Sequence, residues 1–85
     1  MQNFTVNDFK NILEEIDIEI PENFSQNSII DDDLYIDSQE IVELVCEIED
    51  KYNISIEPGT IQRTDDVKTV ITKINNIFKE TNHEY

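Results

Sequence analysis

The chain holds one cysteine, one glycine, two prolines and no tryptophan. Alanine is missing altogether, and the only histidine is His83, near the C-terminal end. Each scarcity excludes something. A lone thiol, Cys46, closes no internal disulfide, so the fold does not depend on an oxidising compartment. A Ser/His/Asp or Cys/His catalytic centre would have to be built from a fraying tail, so enzymatic activity of that kind is not expected. Basic residues are scarce as well: 6 Lys+Arg stand against 20 Asp+Glu, for a net charge of −14. Such a surface repels phosphate backbones and anionic lipids, which argues against nucleic acid and membrane surfaces as partners. No apolar run exceeds three residues. That is too short for a membrane span or a signal-peptide core, and the expected location is cytoplasmic.

What is present is a periodic apolar pattern. Hydrophobic residues make up 38% of the 85 positions, and fifteen of them are isoleucine. A chain of this length forms one domain, here residues 1–85, with an ordered core over about 4–78 and a tail over 79–85. A monomer is expected. Like charges crowd a small surface, so stability is modest and rises with added salt.

Three helices are legible. Thr5 is a candidate cap for the first, with Asp8 at its third position and Phe4 and Phe9 spaced as a hydrophobic staple. Val6, Phe9, Ile12, Leu13 and Ile16 then share a face, and the segment from Asp17 to Pro21 ends the helix. Residues 17 to about 36 form a long connection without periodicity. Ile18, Ile20, Phe24, Ile29, Ile30 and Leu34 are scattered through it, which suggests wrapping across the core. The second helix runs from about Ser38 to Tyr52. Asp37 caps it, Glu40 completes a capping box, and Ile36 and Ile41 form a staple. Ile41, Leu44, Val45, Ile48 and Tyr52 make its core face. Glu43, Glu47 and Asp50 lie opposite, Glu40 flanks one side, and Gln39, Val42 and Cys46 flank the other. The link NISIEPGT is irregular, with a turn at Pro58-Gly59 and one helical turn over Thr60–Gln62. The last helix begins at Thr64 or Asp65, with Val67, Val70, Ile71, Ile74, Ile77 and Phe78 as its apolar face. The expected architecture is all-α: a small four-helix bundle of three main helices plus a short helical turn, with a long loop between helices 1 and 2.

Ser38 is the residue of chemical interest. With Asp37 as the cap, its hydroxyl is not needed at the helix start and points outward. The free amides of a helix N-terminus tolerate a phosphate ester there. From Asp31 to Asp50 there are nine acids and no base, so a protein approaching Ser38 brings a basic surface. The plainer reading of these features is a second capping residue on a solvated acidic face. Cys46 reads as a small apolar contact residue, since no base accompanies it in the pattern. Asp31-Asp32-Asp33 lacks the spacing and glycine of an EF-hand and reads as a solvated loop.

The run Asp37-Ser38-Gln39-Glu40-Ile41-Val42-Glu43-Leu44-Val45 resembles the acyl carrier proteins. The resemblance extends upstream to Asp33-Leu34 and downstream through EIEDKYNISI to the last helix, covering about residues 4–78. It implies a four-helix carrier with 4′-phosphopantetheine on Ser38, installed from coenzyme A by a phosphopantetheinyl transferase with magnesium. The thiol of that arm would carry acyl groups as thioesters to partner enzymes in fatty-acid, polyketide or related biosynthesis. The resemblance also implies docking on the second helix. Glu40, Glu43 and Glu47 would meet Lys or Arg of loading and chain-processing enzymes, with Gln39, Val42 and Cys46 beside them. Two positions depart from the family pattern. Tyr35 stands where a glycine is usual, and Gln39 where an apolar residue is usual. Both bear on which partners dock. An aminoacyl, D-alanyl or peptidyl carrier is the near alternative, and an unmodified acidic module for a basic partner is the distant one.

Overall fold

The computed structural model describes residues 3–81. Three helices account for its regular structure: α1 (Val6–Glu15), α2 (Ser38–Tyr52) and α3 (Val67–Thr81). No strand occurs among the described residues; Ile29 and Asp66 form an isolated antiparallel bridge. The radius of gyration is 12.3 Å, close to the ~12 Å expected of a compact domain of this length.

Local chemistry sets the helix starts. The Thr5 hydroxyl accepts from Asp8 N–H, and the Asp8 carboxylate accepts from Thr5 N–H in return. Asp37 and Glu40 make the same reciprocal pair at α2, at 2.8 and 3.1 Å. Both satisfy donors that a helix start leaves free. Asp66 caps α3, its carboxylate accepting from Thr69 N–H at 2.9 Å. The Thr69 hydroxyl and amide hold that carboxyl below its ordinary value. The start therefore falls at Val67 rather than at Thr64 or Asp65. Asp65 is committed elsewhere, its carboxylate taking Gln62 N–H and Lys73 Nζ. At the other end α3 continues through Thr81; the rest of the expected tail, with His83, lies outside the described residues.

α1 packs against both α2 and α3. Phe9, Ile12 and Leu13 of α1 meet Ile41, Leu44 and Ile48 of α2, with Val67, Val70, Ile74 and Phe78 from α3 closing one core. Phe4 anchors it ahead of α1. Its ring lies edge-on to Phe9, Tyr52 and Phe78, at 6.5, 5.6 and 6.4 Å between centroids. Its backbone is held by Asn75, which accepts from Phe4 N–H at 2.7 Å and donates to Phe4 O at 3.0 Å.

The connection between α1 and α2 wraps the core as its apolar residues suggest: Ile18, Ile30, Leu34 and Ile36 are buried. Its far side is fastened to the chain entering α3. Ile30 N–H donates to Asp65 O, Asp31 N–H to Arg63 O, and Val67 N–H to Ser28 O. The helical turn expected at Thr60–Gln62 is replaced by reverse turns. Pro58 and Gly59 (φ 86°) form a turn closed by Thr60 N–H to Glu57 O, the geometry for which proline followed by glycine is suited. Arg63 and Asp65 then spend their carbonyls on the wrapping loop. No helix among the described residues is long and apolar enough to cross a membrane.

Candidate functional site at the start of α2

Ser38 is the first residue of α2 and is exposed. The Asp37 carboxylate accepts the Glu40 amide, so the Ser38 hydroxyl is released from capping. Ile36 and Ile41, both buried, pin the chain on either side. The result is an exposed serine held between two buried anchors. Among the described residues the large exposed apolar side chains are Tyr35 (81% exposed), three positions before Ser38, and Val42 (61%). Val42 lies one turn beyond Ser38 on the same side of α2. Gln39, Glu43 and Cys46 are exposed as well, which puts them with Val42 on the open side of the helix.

Two acids of the expected docking face have other attachments. Glu40 is half-buried and its carboxylate accepts from Asp37 N–H at 3.1 Å, so it belongs to the cap. Glu47 is half-buried and faces α1 rather than standing opposite the core. There it adjoins Glu15, whose carboxylate pairs with Lys51 at 2.6 Å. Lys51 holds Glu15 below its ordinary value. The neighbouring Glu15 carboxylate, followed by partial burial, pushes Glu47 above its ordinary 4.5.

The sign of that shift gives a prediction. With its folded pKa raised, Glu47 binds more protons in the folded chain than in the unfolded one. Its contribution to stability therefore falls as pH rises through the window just above 4.5. Glu47→Gln removes the repulsion and offers Glu15 an amide N–H donor in its place. A small rise in Tm at pH 7 and a smaller one at pH 4 is expected from thermal melts; an equal change at both pH values would refute the assignment.

A groove of about 410 Å³ opens beside the arm of chain leading into α2. Ile18, Pro21, Leu34 and Tyr35 line it together with Asp17, Glu19 and Glu40. Nothing in the sequence pattern joins these residues; the wrapping loop does. A second cleft, about 710 Å³, lies at the opposite end of α2, where Asn53, Ile54 and Ser55 face Ile77 of α3. A helix length of roughly 22 Å separates it from Ser38. Two aspartates of the run 31–33 are tied to the fold, Asp31 pairing with Arg63 at 3.0 Å and Asp33 accepting from Ile29 N–H at 2.7 Å, while Asp32 is exposed. No group of side chains among the described residues is arranged to hold a metal ion.

Set against models of known protein families, curated proteins and solved structures, the chain matches none of them.

Proposed function

We propose that this protein is a carrier that bears 4′-phosphopantetheine on Ser38 and holds acyl groups for enzymes that act on them in the cytoplasm. The observation that supports this most is the Ser38 hydroxyl, exposed at the first position of α2 while Asp37 does the capping. The arm supplies a thiol at the end of a long flexible tether, on which acyl groups ride as thioesters. The protein's own residues supply the attachment point and the docking surface. Ser38 Oγ forms the phosphodiester by displacing the nucleotide of coenzyme A, its proton passing to a base of the transferase. First-turn amides of α2 favour the resulting phosphate charge. Val42 and Cys46 give the docked enzyme an apolar contact, flanked by Glu43. The dense acidic surface steers basic partners to the site and keeps the encounter weak, so that cargo passes quickly from one enzyme to the next. In this reading the turns at 57–64 stand in for the short helix of a four-helix carrier, and the protein acts as a monomer without catalytic residues of its own.

Incubation with coenzyme A, magnesium and a broad-specificity phosphopantetheinyl transferase tests it by intact mass. One added arm per chain is the expected result. An unchanged mass would reject the carrier and leave the acidic binding module.

A further inference from the structure

The chain reaches Ser38 through a turn over residues 29–36. We infer that Asp33 is a positioning residue for the loading of Ser38: its carboxylate, bonded to Ile29 N–H, holds this turn in the form that presents the serine. Asp33 acts without touching the arm or the enzyme that brings it. The inference goes beyond the carrier reading and rests on it.

The backbone of the turn accounts for the need. At its back it is fastened to the chain entering α3, where Ile30 N–H donates to Asp65 O and Val67 N–H to Ser28 O, both at 2.9 Å. These bonds flank the bridge between Ile29 and Asp66. They make it a non-hydrogen-bonded antiparallel pair, in which the Ile29 N–H turns away from Asp66. Asp33 supplies the partner, its carboxylate accepting that N–H at 2.7 Å in a half-buried setting. The Ile29 carbonyl in turn accepts from Asp33 N–H at 2.9 Å and from Leu34 N–H at 3.1 Å. Asp33 therefore grips Ile29 through backbone and side chain together.

The front of the turn carries this hold to the site. Tyr35 N–H donates to Asp31 O and Ile36 N–H to Ile30 O, at 3.1 and 3.0 Å. Leu34 and Ile36 are buried. Ile36 immediately precedes Asp37, whose carboxylate caps α2 beside Ser38. The ring closed between Ile29 and Asp33 thus sets where residues 34–36 lie, and with them the cap and the serine.

Losing the carboxylate leaves a half-buried N–H without its partner, which disfavours the closed turn. Loading then draws on the fraction of molecules that still present Ser38. Apparent affinity falls by that fraction, while the chemical step in the bound complex is unchanged. A docking acid would act differently, through its charge, and would be lost equally on change to asparagine.

The test pairs loading kinetics with amide hydrogen exchange in Asp33→Ala, Asp33→Asn and Asp32→Ala. Loading uses coenzyme A, magnesium and a broad-specificity phosphopantetheinyl transferase. Asp33→Ala is expected to raise KM for the protein about tenfold and to leave kcat within about twofold. Exchange at Leu34, Tyr35 and Ile36 quickens, while Leu44 and Ile48 of α2 stay protected. Asp33→Asn keeps an oxygen that accepts Ile29 N–H and restores most of both readouts. Asp32→Ala, at the exposed neighbour, loses the same charge and loads as the wild type does. Equal losses in Asp33→Asn or Asp32→Ala would overturn the assignment in favour of a docking charge. Faster exchange throughout all three helices of Asp33→Ala would overturn it in favour of general stability. Wild-type kinetics in Asp33→Ala would overturn it and leave the carrier standing; failure of the wild type to load would overturn both.

Discussion

Phe4→Ala is expected to remove about 3–5 kcal/mol of stability, the usual cost of emptying a buried aromatic site. A domain of this size has a total stability on the order of 5–10 kcal/mol, so the substitution leaves little. Phe4 is 1% exposed although it precedes every helix. Among the described residues its ring is the only one in edge contact with aromatics of all three helices: Phe9 of α1, Tyr52 of α2 and Phe78 of α3. Alanine would leave those rings facing a void. The Asn75 clamp acts on the Phe4 backbone and survives the change, so the loss reports packing alone. Thermal and urea melts should show a Tm lower by more than about 12 °C with Phe4→Leu in between. A Phe4→Ala protein melting within a few degrees of wild type would show that the aromatic cluster is peripheral to the core.

Phe4 also marks the boundary between what local sequence conveys and what it does not. Its staple to Phe9 is a five-residue pattern, visible without coordinates. Its clamp to Asn75 spans 71 positions and leaves no local trace. The same division runs through the fold. α2 is bounded by its own side chains, Asp37 and Glu40 in front and left-handed Asn53 behind, and it runs over Ser38–Tyr52 as its pattern indicates. The start of α3 offered several capping residues in a row. Asp66 takes the cap while the Asp65 carboxylate is occupied by Gln62 N–H and by Lys73, two turns into α3, side-chain contacts that the run of capping residues does not announce. Apolar residues in the long connection announced that it wraps the core, but its pairing with the chain entering α3 joins two aperiodic segments. Helical periodicity put Glu47 opposite the core, because a single helix carries no record of which neighbour shares its flank. α1 occupies that flank, and Glu15 meets Glu47 there. For the candidate site, exposure of Ser38 followed from the capping role of Asp37. The groove did not, since its walls come from the turn after α1, the end of the long loop and the first turn of α2.

Loading by the transferase is expected to vanish in Ser38→Ala, with melting behaviour unchanged. The two halves of this prediction have one cause. Asp37 makes the capping bond to the Glu40 amide, so removing the Ser38 hydroxyl deletes no contact that supports α2, and alanine is at least as good a helix residue. A substitution at an exposed position without such a contact moves stability very little. No other serine can stand in. Ser28 is 6% exposed and its oxygen accepts from Ser25 N–H at 3.0 Å. The Ser25 oxygen accepts from Asn27 N–H at 3.1 Å within the wrapping loop. Ser55 borders the cleft at the far end of α2, roughly 22 Å from the first turn, where no helix N-terminus favours a phosphodiester. Intact mass and thermal melts on the same preparations decide the matter. Arm mass retained on Ser38→Ala would move the attachment point elsewhere. Loss of the arm together with a markedly lower Tm would mean that Ser38 supports α2 after all, and that its exposure reflects structure rather than availability to a partner.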